Sequence, residues 1–133
     1  MILEQVSVFV ENKPGALSEI TTSLADDNID LKAFTVAGKS EFGVLHFLSD
    51  EPQKALDLLK RNGWVASITP VVSVQMADKP GSLARVLKLF AANDVQVEYL
   101  YAFVAQEEAR AYVVMRVDNP ENAVKLLETS GIL

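Results

Sequence analysis

Two short segments of the sequence have the residue types and spacing of a turn that can hold a small anion. Asn12-Lys13-Pro14-Gly15 and Asp78-Lys79-Pro80-Gly81 carry an amide or acid, a lysine, a proline and a glycine in the same order. Proline presets φ at the second position of a turn, and glycine accepts a positive φ at the third. If a helix follows each glycine, its first N–H groups and the positive end of its dipole are open to a ligand carboxylate. A purely structural turn is the alternative, because Asn12 and Asp78 also suit an Asx-turn.

The other residues with chemical potential do not form a catalytic or metal-binding pattern. His46 lies among apolar residues with no cysteine or second histidine nearby, which favours a structural role. The carboxylate pairs Asp26-Asp27 and Glu107-Glu108 fall at a predicted helix end and a predicted hairpin tip, where solvated charge is expected. The sequence has no Gly-x-Ser-x-Gly, His-Glu-x-x-His, P-loop or dinucleotide-binding motif. We therefore expect a protein without catalytic residues, metal or cofactor.

Composition and charge argue against several kinds of partner. The 133 residues are 50% hydrophobic and have a formal net charge of -6, from 12 basic and 18 acidic side chains. Because no run of Lys and Arg is present, we do not expect binding to nucleic acid. The aromatic row of Tyr99, Tyr101 and Phe103 is flanked by acidic residues, which favours a sheet interface over a surface for stacking RNA bases. No long apolar stretch predicts a membrane span, and the absence of cysteine is typical of a cytoplasmic protein.

The chain repeats itself once. Val6-Ser7-Val8 and the turn that follows it return as Val72-Ser73-Val74 and the second turn, and similar apolar positions follow in both halves. Internal repeats of this kind indicate that each half is one structural unit. We therefore divide the chain into a first unit, residues 1–69, and a second unit, residues 70–133.

Both halves have the hydrophobic pattern of a strand followed by a helix. Val6, Val8 and Val10 recur at every second position, as in a half-buried strand. The apolar residues after each Pro-Gly recur at helical spacing, so a helix is predicted there. Strand, turn and helix therefore open both units.

A hairpin and a second helix are predicted next in each unit. The hairpin strands are Leu31 to Ala37 with Phe42 to Leu48, and Val97 to Ala105 with Arg110 to Val117. The second helix is predicted to begin at Asp50 or Asp118 as N-cap, with proline two residues later, and Asp118 with Glu121 has the spacing of a capping box. The predicted fold class is α+β, with two βαββαβ units whose antiparallel sheets are backed by helices on one face.

The last strand is where the two units differ. Trp64 to Thr69 can form the fourth strand of the first unit, whereas the second unit ends at residue 133 with almost no residues left for one. We predict that Met1 to Gln5, which align with the segment leading into the second unit, supply this missing pairing. An unpaired sheet face or edge also favours a homodimer.

The repeated pattern resembles the ACT domain. The resemblance rests on Asn-Lys-Pro-Gly-Ala-Leu or Asp-Lys-Pro-Gly-Ser-Leu after the first strand of each unit, and on Asn-Ile-Asp-Leu or Asp-Val-Gln-Val after its first helix. It covers essentially the whole chain, twice. It implies a ferredoxin-like fold and a regulatory protein that binds a free amino acid where ACT units pair.

The resemblance also implies which residues contact the ligand. In amino-acid-binding members, the acid or amide before Lys-Pro-Gly and the polar residue that opens the second strand hold the ligand. Backbone N–H groups that follow the proline would bind its carboxylate, and Asp30 or Asp78 would meet its ammonium group. The implied ligand-binding residues are Asn12, Pro14, Gly15, Ala16, Leu17 and Asp30 in the first unit, and Asp78, Pro80, Gly81, Ser82, Leu83 and Gln96 in the second.

Three functions remain open at this point. The first is a non-catalytic sensor of a small amino acid. The second is a regulatory subunit that acts by binding an enzyme of amino-acid metabolism. The third is a structural pairing module without a ligand.

Overall fold

The computed structural model describes residues 1–38, 40–105 and 109–132. The carboxylate pair at Glu107-Glu108, assigned above to a hairpin tip, lies outside the described residues. The described residues form six strands and four helices. The elements are β1 (Ile2–Glu11), α1 (Ala16–Asp26), β2 (Ala33–Ala37), β3 (Phe42–Leu48), α2 (Pro52–Arg61), β4 (Ala66–Ala77), α3 (Ser82–Ala92), β5 (Val97–Ala105), β6 (Arg110–Val117) and α4 (Pro120–Ser130).

The predicted α+β fold with two repeated βαββαβ patterns is confirmed. The chain forms two compact units, one from residues 4–69 and the other from residues 1–3 together with 70–133. We call these the first and the second unit from here on. The boundary in β4 falls between Thr69 and Pro70, and the first three residues belong to the second unit.

In the first unit the strands lie in the order β2, β3, β1, β4. β1 and β2 both pair antiparallel with β3, and Val8 lies opposite Leu45 in that register. The alternating residues Val6, Val8 and Val10 are buried in one core with Ile20 and Leu24 of α1. The core therefore lies between the sheet and the helical face that the apolar spacing predicts.

The second unit repeats this arrangement with β4, β5 and β6. β4 and β5 both pair antiparallel with β6. Val72 and Val74 of β4 are buried together with Val86 and Phe90 of α3. The same alternation of strand residues and the same helical spacing therefore produce an equivalent core.

The N-terminal residues pair with β4 in the second unit. The backbone N–H of Ser73 donates to the carbonyl of Met1 at 2.8 Å, and the nitrogen of Met1 lies 3.2 Å from the carbonyl oxygen of Ser73. The edge pairing predicted for the N-terminal residues is therefore present at Met1.

The helix starts differ from the sequence prediction by one residue. The N-caps of α2 and α4 are Glu51 and Asn119, not Asp50 and Asp118. The Asn119 side chain accepts a hydrogen bond from the Asn122 N–H at 3.1 Å, so the predicted capping box is wrong. Asp118 serves another purpose, because its carboxylate accepts a hydrogen bond from the N–H of Gln96.

Candidate functional site

The first Pro-Gly turn joins β1 directly to α1. Gly15 is the residue before the helix and has φ 89°, in the left-handed region that favours glycine. The turn is closed by two backbone bonds, from the Lys13 N–H to the Glu11 carbonyl at 2.9 Å and from the Ala16 N–H to the Lys13 carbonyl at 3.3 Å. Because Gly15 has no side chain to cap the helix, the next N–H groups of the first turn of α1 remain available to a ligand.

The second turn has the same geometry. Gly81 precedes α3 with φ 95°, and the Lys79 N–H donates to the Ala77 carbonyl at 3.0 Å. A β-carbon added to Gly15 or Gly81 would meet no atom within 4 Å, so the space beside both glycines is open. The two turns predicted from the sequence are therefore equivalent in backbone conformation and in access.

A cleft adjoins the first turn on the side of β2, and we call it the turn cleft. It has a volume of about 170 Å³. Two of the predicted ligand residues, Asn12 and Leu17, lie in its wall. Its other lining residues are Val10, Glu11, Lys13, Val36, Ala37, Gly38 and Gly43. Pockets for drug-sized ligands range over about 300–1,000 Å³, so this cleft suits a smaller molecule such as a single amino acid.

The β2–β3 residues of this cleft were not identified from the sequence. Val36 is 47% exposed and points its apolar surface into the cleft. Gly38 and Gly43 bring the two strands close together at the cleft floor. The sequence feature that could have indicated the cleft is the pair of glycines on either side of the hairpin turn. Such a pair alone does not distinguish a cleft from an ordinary turn.

Charges at the cleft are partly compensated. Lys13 Nζ lies 2.9 Å from a carboxylate oxygen of Glu11. That hydrogen bond and the charge of Glu11 raise the pKa of Lys13, so the lysine stays protonated. The Asn12 amide donates to the Ser40 carbonyl at 3.0 Å, and the Asn12 N–H donates to the Glu41 carbonyl at 2.8 Å. Asn12 thus fixes the turn against the hairpin and leaves its side-chain oxygen as the group that can face a ligand.

Comparison with known families decides which family the chain belongs to. The sequence model of the ACT domain pair matches residues 1–130. The chain belongs to this family. Among curated proteins none matches it significantly.

Solved structures have the same fold as this ACT domain pair. A protein from Bacteroides thetaiotaomicron is 38% identical with a TM-score of 0.91, and the match covers 98% of this chain and 89% of that one. The regulatory subunit of aspartate kinase from Thermus thermophilus is 17% identical with a TM-score of 0.69, covering 98% of this chain and 97% of that one. The regulatory subunit from Thermus flavus is also 17% identical, with a TM-score of 0.63 and coverage of 97% and 94%.

Within each ACT unit, the predicted ligand residues fall into two separate groups. In the first unit, Lys32, two residues after Asp30, donates its N–H to Leu48 at the end of β3. Asn12 instead bonds to Glu41, just before β3 begins. β3 has seven residues, and at about 3.3 Å per residue the two ends lie roughly 20 Å apart. Asp30 therefore does not meet the turn of its own unit, and its carboxylate instead lies 3.1 Å from Lys32 Nζ.

The second ACT unit separates its residues in the same way. Gln96 exchanges hydrogen bonds with Asp118 beyond the end of β6. Asp78 donates its N–H to Ala109 just before β6 begins, at 2.9 Å. Gln96 and the second turn therefore lie at opposite ends of β6.

His46 belongs to a polar cluster on the strands of the first unit. Its Nδ1 lies 2.9 Å from Ser7 Oγ and 3.1 Å from Gln5 Nε2, and Ser7 Oγ lies 3.0 Å from Thr69 Oγ1. Gln5 is fully buried, and burial lowers the pKa of His46. A buried polar cluster whose members bond to one another has the structural role that the sequence indicates for this histidine.

Among residues 1–38, 40–105 and 109–132, no group of three His, Asp or Glu side chains lies close enough to hold a metal ion. In the same part of the chain, every helix is too short or too polar to cross a membrane.

Proposed function

We propose that this ACT domain pair is a non-catalytic regulatory protein that senses a small amino acid at its strand–helix turns. The supporting observation is the turn cleft, where open helix N–H groups, Asn12 and the Lys13–Glu11 pair meet an apolar wall. The ligand carboxylate would bind the N–H groups after Gly15 and the ammonium of Lys13. The ligand ammonium would meet Glu11 and the side-chain oxygen of Asn12, with its side chain against Leu17 and Val36.

The second unit is proposed to bind a ligand in a similar way at Asp78, Pro80, Gly81, Ser82 and Leu83. Its turn has the same backbone conformation as the first. Asp78 would offer a carboxylate where the first unit has an amide, which strengthens the contact with an ammonium group. The roles of Asp30 and Gln96 as ligand contacts stay predictions, since neither meets the turn of its own unit. The expected cytoplasmic location also stays a prediction.

A thermal-shift screen against the twenty amino acids tests this proposal. A ligand that binds the native state stabilises it, by about 2.7 kcal/mol when its concentration is 100 times its Kd. We expect one chemical group of amino acids to raise the Tm by several degrees. A screen in which no amino acid at millimolar concentration raises the Tm would contradict sensing.

Two variants on the same exposed strand locate the site. Val36→Trp fills the turn cleft, whereas Phe34→Trp adds the same bulk on β2 outside the cleft. Val36 and Phe34 are 47% and 62% exposed, so neither replacement disturbs the core. We expect Val36→Trp to abolish the ligand-induced shift and Phe34→Trp to preserve it. An equal response from both variants would place the ligand elsewhere.

A second candidate function is regulation through a bound enzyme. The aspartate kinase regulatory subunits of Thermus are matched over nearly their whole length, and this chain has their fold. By this likeness the protein would act as a separate subunit that binds an enzyme of amino-acid metabolism. Co-purification of the tagged protein from its own cells, with and without added amino acids, tests this function. Recovery of such an enzyme supports it, and recovery of the tagged protein alone at native expression levels contradicts it.

We also propose that the protein is a homodimer. β2 lies at the edge of its sheet and carries two exposed apolar residues, Phe34 and Val36. Apolar edge strands favour pairing with another chain. Sedimentation equilibrium gives the mass directly, and a monomer at micromolar concentration would contradict the proposal.

A further inference from the structure

A second cleft lies in the first unit between α1 and the segment that leads from α2 into β4, and we call it the α1–β4 cleft. It has a volume of about 200 Å³. Of the residues predicted to bind a ligand, only Ala16 lines it. Its lining residues are Phe9, Val10, Glu11, Lys13, Ala16, Glu19, Ile20, Phe42, Gly63, Trp64 and Val65. Val10, Glu11 and Lys13 also line the turn cleft, but the other eight residues line this cleft alone.

Backbone hydrogen bonds hold in place the wall of the cleft that is formed by Trp64 and Val65. Gly63 follows the C-cap of α2 and has φ 88°, which turns the chain so that the Trp64 N–H donates to the Leu59 carbonyl at 3.0 Å. The Phe9 N–H then donates to the Val65 carbonyl at 3.0 Å, which holds this segment beside β1. Trp64 is half-buried against the core of the unit, so its ring is anchored on one side and open to the cleft on the other.

The cleft exposes an unusual amount of apolar surface. Phe9 and Phe42 are each 53% exposed, and Val65 is 66% exposed. Exposed apolar side chains that line one concave surface together with a few charged groups are typical of a binding site. Three aromatic rings in the wall also offer the negative faces that attract organic cations.

The charged groups in the cleft sum to one net negative charge. Glu11, Lys13 and Glu19 line it. Lys13 Nζ lies 2.9 Å from Glu11, and the charge of Glu19 adds to that of Glu11 in raising the pKa of Lys13. One lysine therefore faces two carboxylates, and a ligand with one positive charge balances the cleft.

We propose that the α1–β4 cleft binds an organic ammonium ion carried on an apolar body of about the size of a benzyl or branched aliphatic group. The ammonium contacts Glu19 and the face of an aromatic ring, and the apolar body displaces water from Phe9, Phe42 and Val65. Such an ammonium group can belong to a simple amine or to an amino acid with an apolar side chain.

The second unit has the opposite charge at the equivalent positions. Ala77 and Arg85 stand where the first unit has Glu11 and Glu19, and Ile132 replaces Trp64. Arg110, which pairs with Ala77 in the sheet, takes the place of Phe42. An ammonium ion would be repelled there, so the proposed site belongs to the first unit alone.

The fluorescence emission of Trp64 reports on ligand binding in this cleft, because Trp64 lines the cleft and is the one tryptophan of the chain. The test is a titration of the intact protein with phenethylamine, phenylalanine and 3-phenylpropionate, monitored by Trp64 emission. These compounds share the phenyl body and differ in charge. We expect a saturable change in emission with phenethylamine and none with 3-phenylpropionate at the same concentration.

The phenylalanine titration distinguishes the two sources of the ammonium group. Binding as tight as that of phenethylamine assigns the site to an amino acid, and weaker binding assigns it to a simple amine. Equal or tighter binding of 3-phenylpropionate would overturn the proposal, as would an emission spectrum that none of the three compounds changes.

Variants at Glu19 separate charge recognition from apolar contact. Glu19→Arg introduces the residue that the second unit carries at this position, and Glu19→Gln removes only the charge. Because Glu19 is exposed, both variants are expected to fold. We expect Glu19→Gln to weaken phenethylamine binding roughly threefold or more and Glu19→Arg to weaken it further. Asp26→Asn, two helical turns further along α1 and outside the cleft, is the matched control and should leave the Kd unchanged.

An unchanged Kd in both Glu19 variants would overturn the proposal. Val10, Glu11 and Lys13 line both clefts, whereas Glu19 and Trp64 line only this one and Val36 lines only the turn cleft. The Glu19 variants therefore test this site and the Val36→Trp variant tests the other, so the two proposals can fail separately.

Discussion

A β-carbon on Gly38 would lie 2.5 Å from the Cα of Gly43 and 2.7 Å from the carbonyl oxygen of Phe42. Both neighbours are backbone atoms, which cannot rotate away as a side chain can. The turn between β2 and β3 therefore requires glycine at position 38. Because both glycines line the turn cleft, this close approach also sets the shape of the proposed ligand site.

Gly38→Ala is expected to destabilise the protein and weaken ligand binding together. Forcing a methyl group into a packed site typically costs about 1–3 kcal/mol. Urea unfolding gives the stability change, and the thermal shift with a ligand from the screen gives the change in binding. A variant as stable as the wild type would mean that the hairpin relaxes freely and that the glycine is not required.

Gly15→Ala and Gly81→Ala are expected to lose similar, smaller amounts of stability. Neither new methyl group would touch a neighbour within 4 Å, so only the left-handed backbone conformation opposes them. That conformation costs an L-residue about 1–2 kcal/mol. Asn tolerates it better, so Gly15→Asn should recover part of the loss.

Urea unfolding of the two single variants and the double variant measures these costs. The turns are in separate units, so the two losses should add. A loss at Gly15 several times larger than that at Gly81 would contradict the equivalence of the two turns.

The fold was predictable from the sequence because its signals are local and occur twice. For example, β3 was predicted at Phe42–Leu48 from residues with high strand propensity between Gly38 and Asp50. The structure shows the same range. The pairing of Met1 with Ser73 was predictable from the repeat itself, since Met1 to Gln5 align with the segment that leads into the second unit.

The helix caps and the clefts were not predictable in the same way. Asp50 and Asp118 have the composition of N-caps, but Asn119 takes the capping position in α4 while Asp118 bonds across the unit to Gln96. That competing bond joins residues far apart in sequence. The clefts likewise depend on how Trp64 and Val36 approach α1 from distant segments, which no local pattern encodes.

His46 is expected to titrate below its usual pKa of about 6.5, because burial disfavours the charged imidazolium. The unfolded chain then binds a proton more readily than the folded one. The contribution of His46 to the free energy of unfolding should therefore be constant above pH 6.5. It should fall as the pH drops below 6.5 towards the folded-state pKa.

Since His46 is the one histidine of the chain, its ring protons can be followed by NMR without assignment. Urea unfolding between pH 7 and pH 5 measures the accompanying loss of stability. His46→Gln should remove the pH-dependence near pH 6 while leaving the acid unfolding due to carboxylates. A pKa at or above 6.5 would contradict the effect of burial.

Asn119→Ala is expected to destabilise α4 by about 1 kcal/mol, the usual cost of removing an N-cap side chain. The physical reason is the bond from the Asn122 N–H to the Asn119 oxygen, which alanine cannot accept. Glu51→Ala is the matched control, because Glu51 occupies the same position before α2 and its side chain makes no capping bond.

Urea unfolding of both variants measures the difference, and Asn119→Asp should retain most of the wild-type stability because aspartate caps equally well. Asp118→Ala separates the cap from the bond to Gln96. If Asp118 rather than Asn119 were the cap, Asn119→Ala would leave the stability nearly unchanged. Hydrogen exchange would then show the first turn of α4 opening only in Asp118→Ala. We expect the opposite, with fraying of α4 in Asn119→Ala and loosening of the Gln96 N–H in Asp118→Ala.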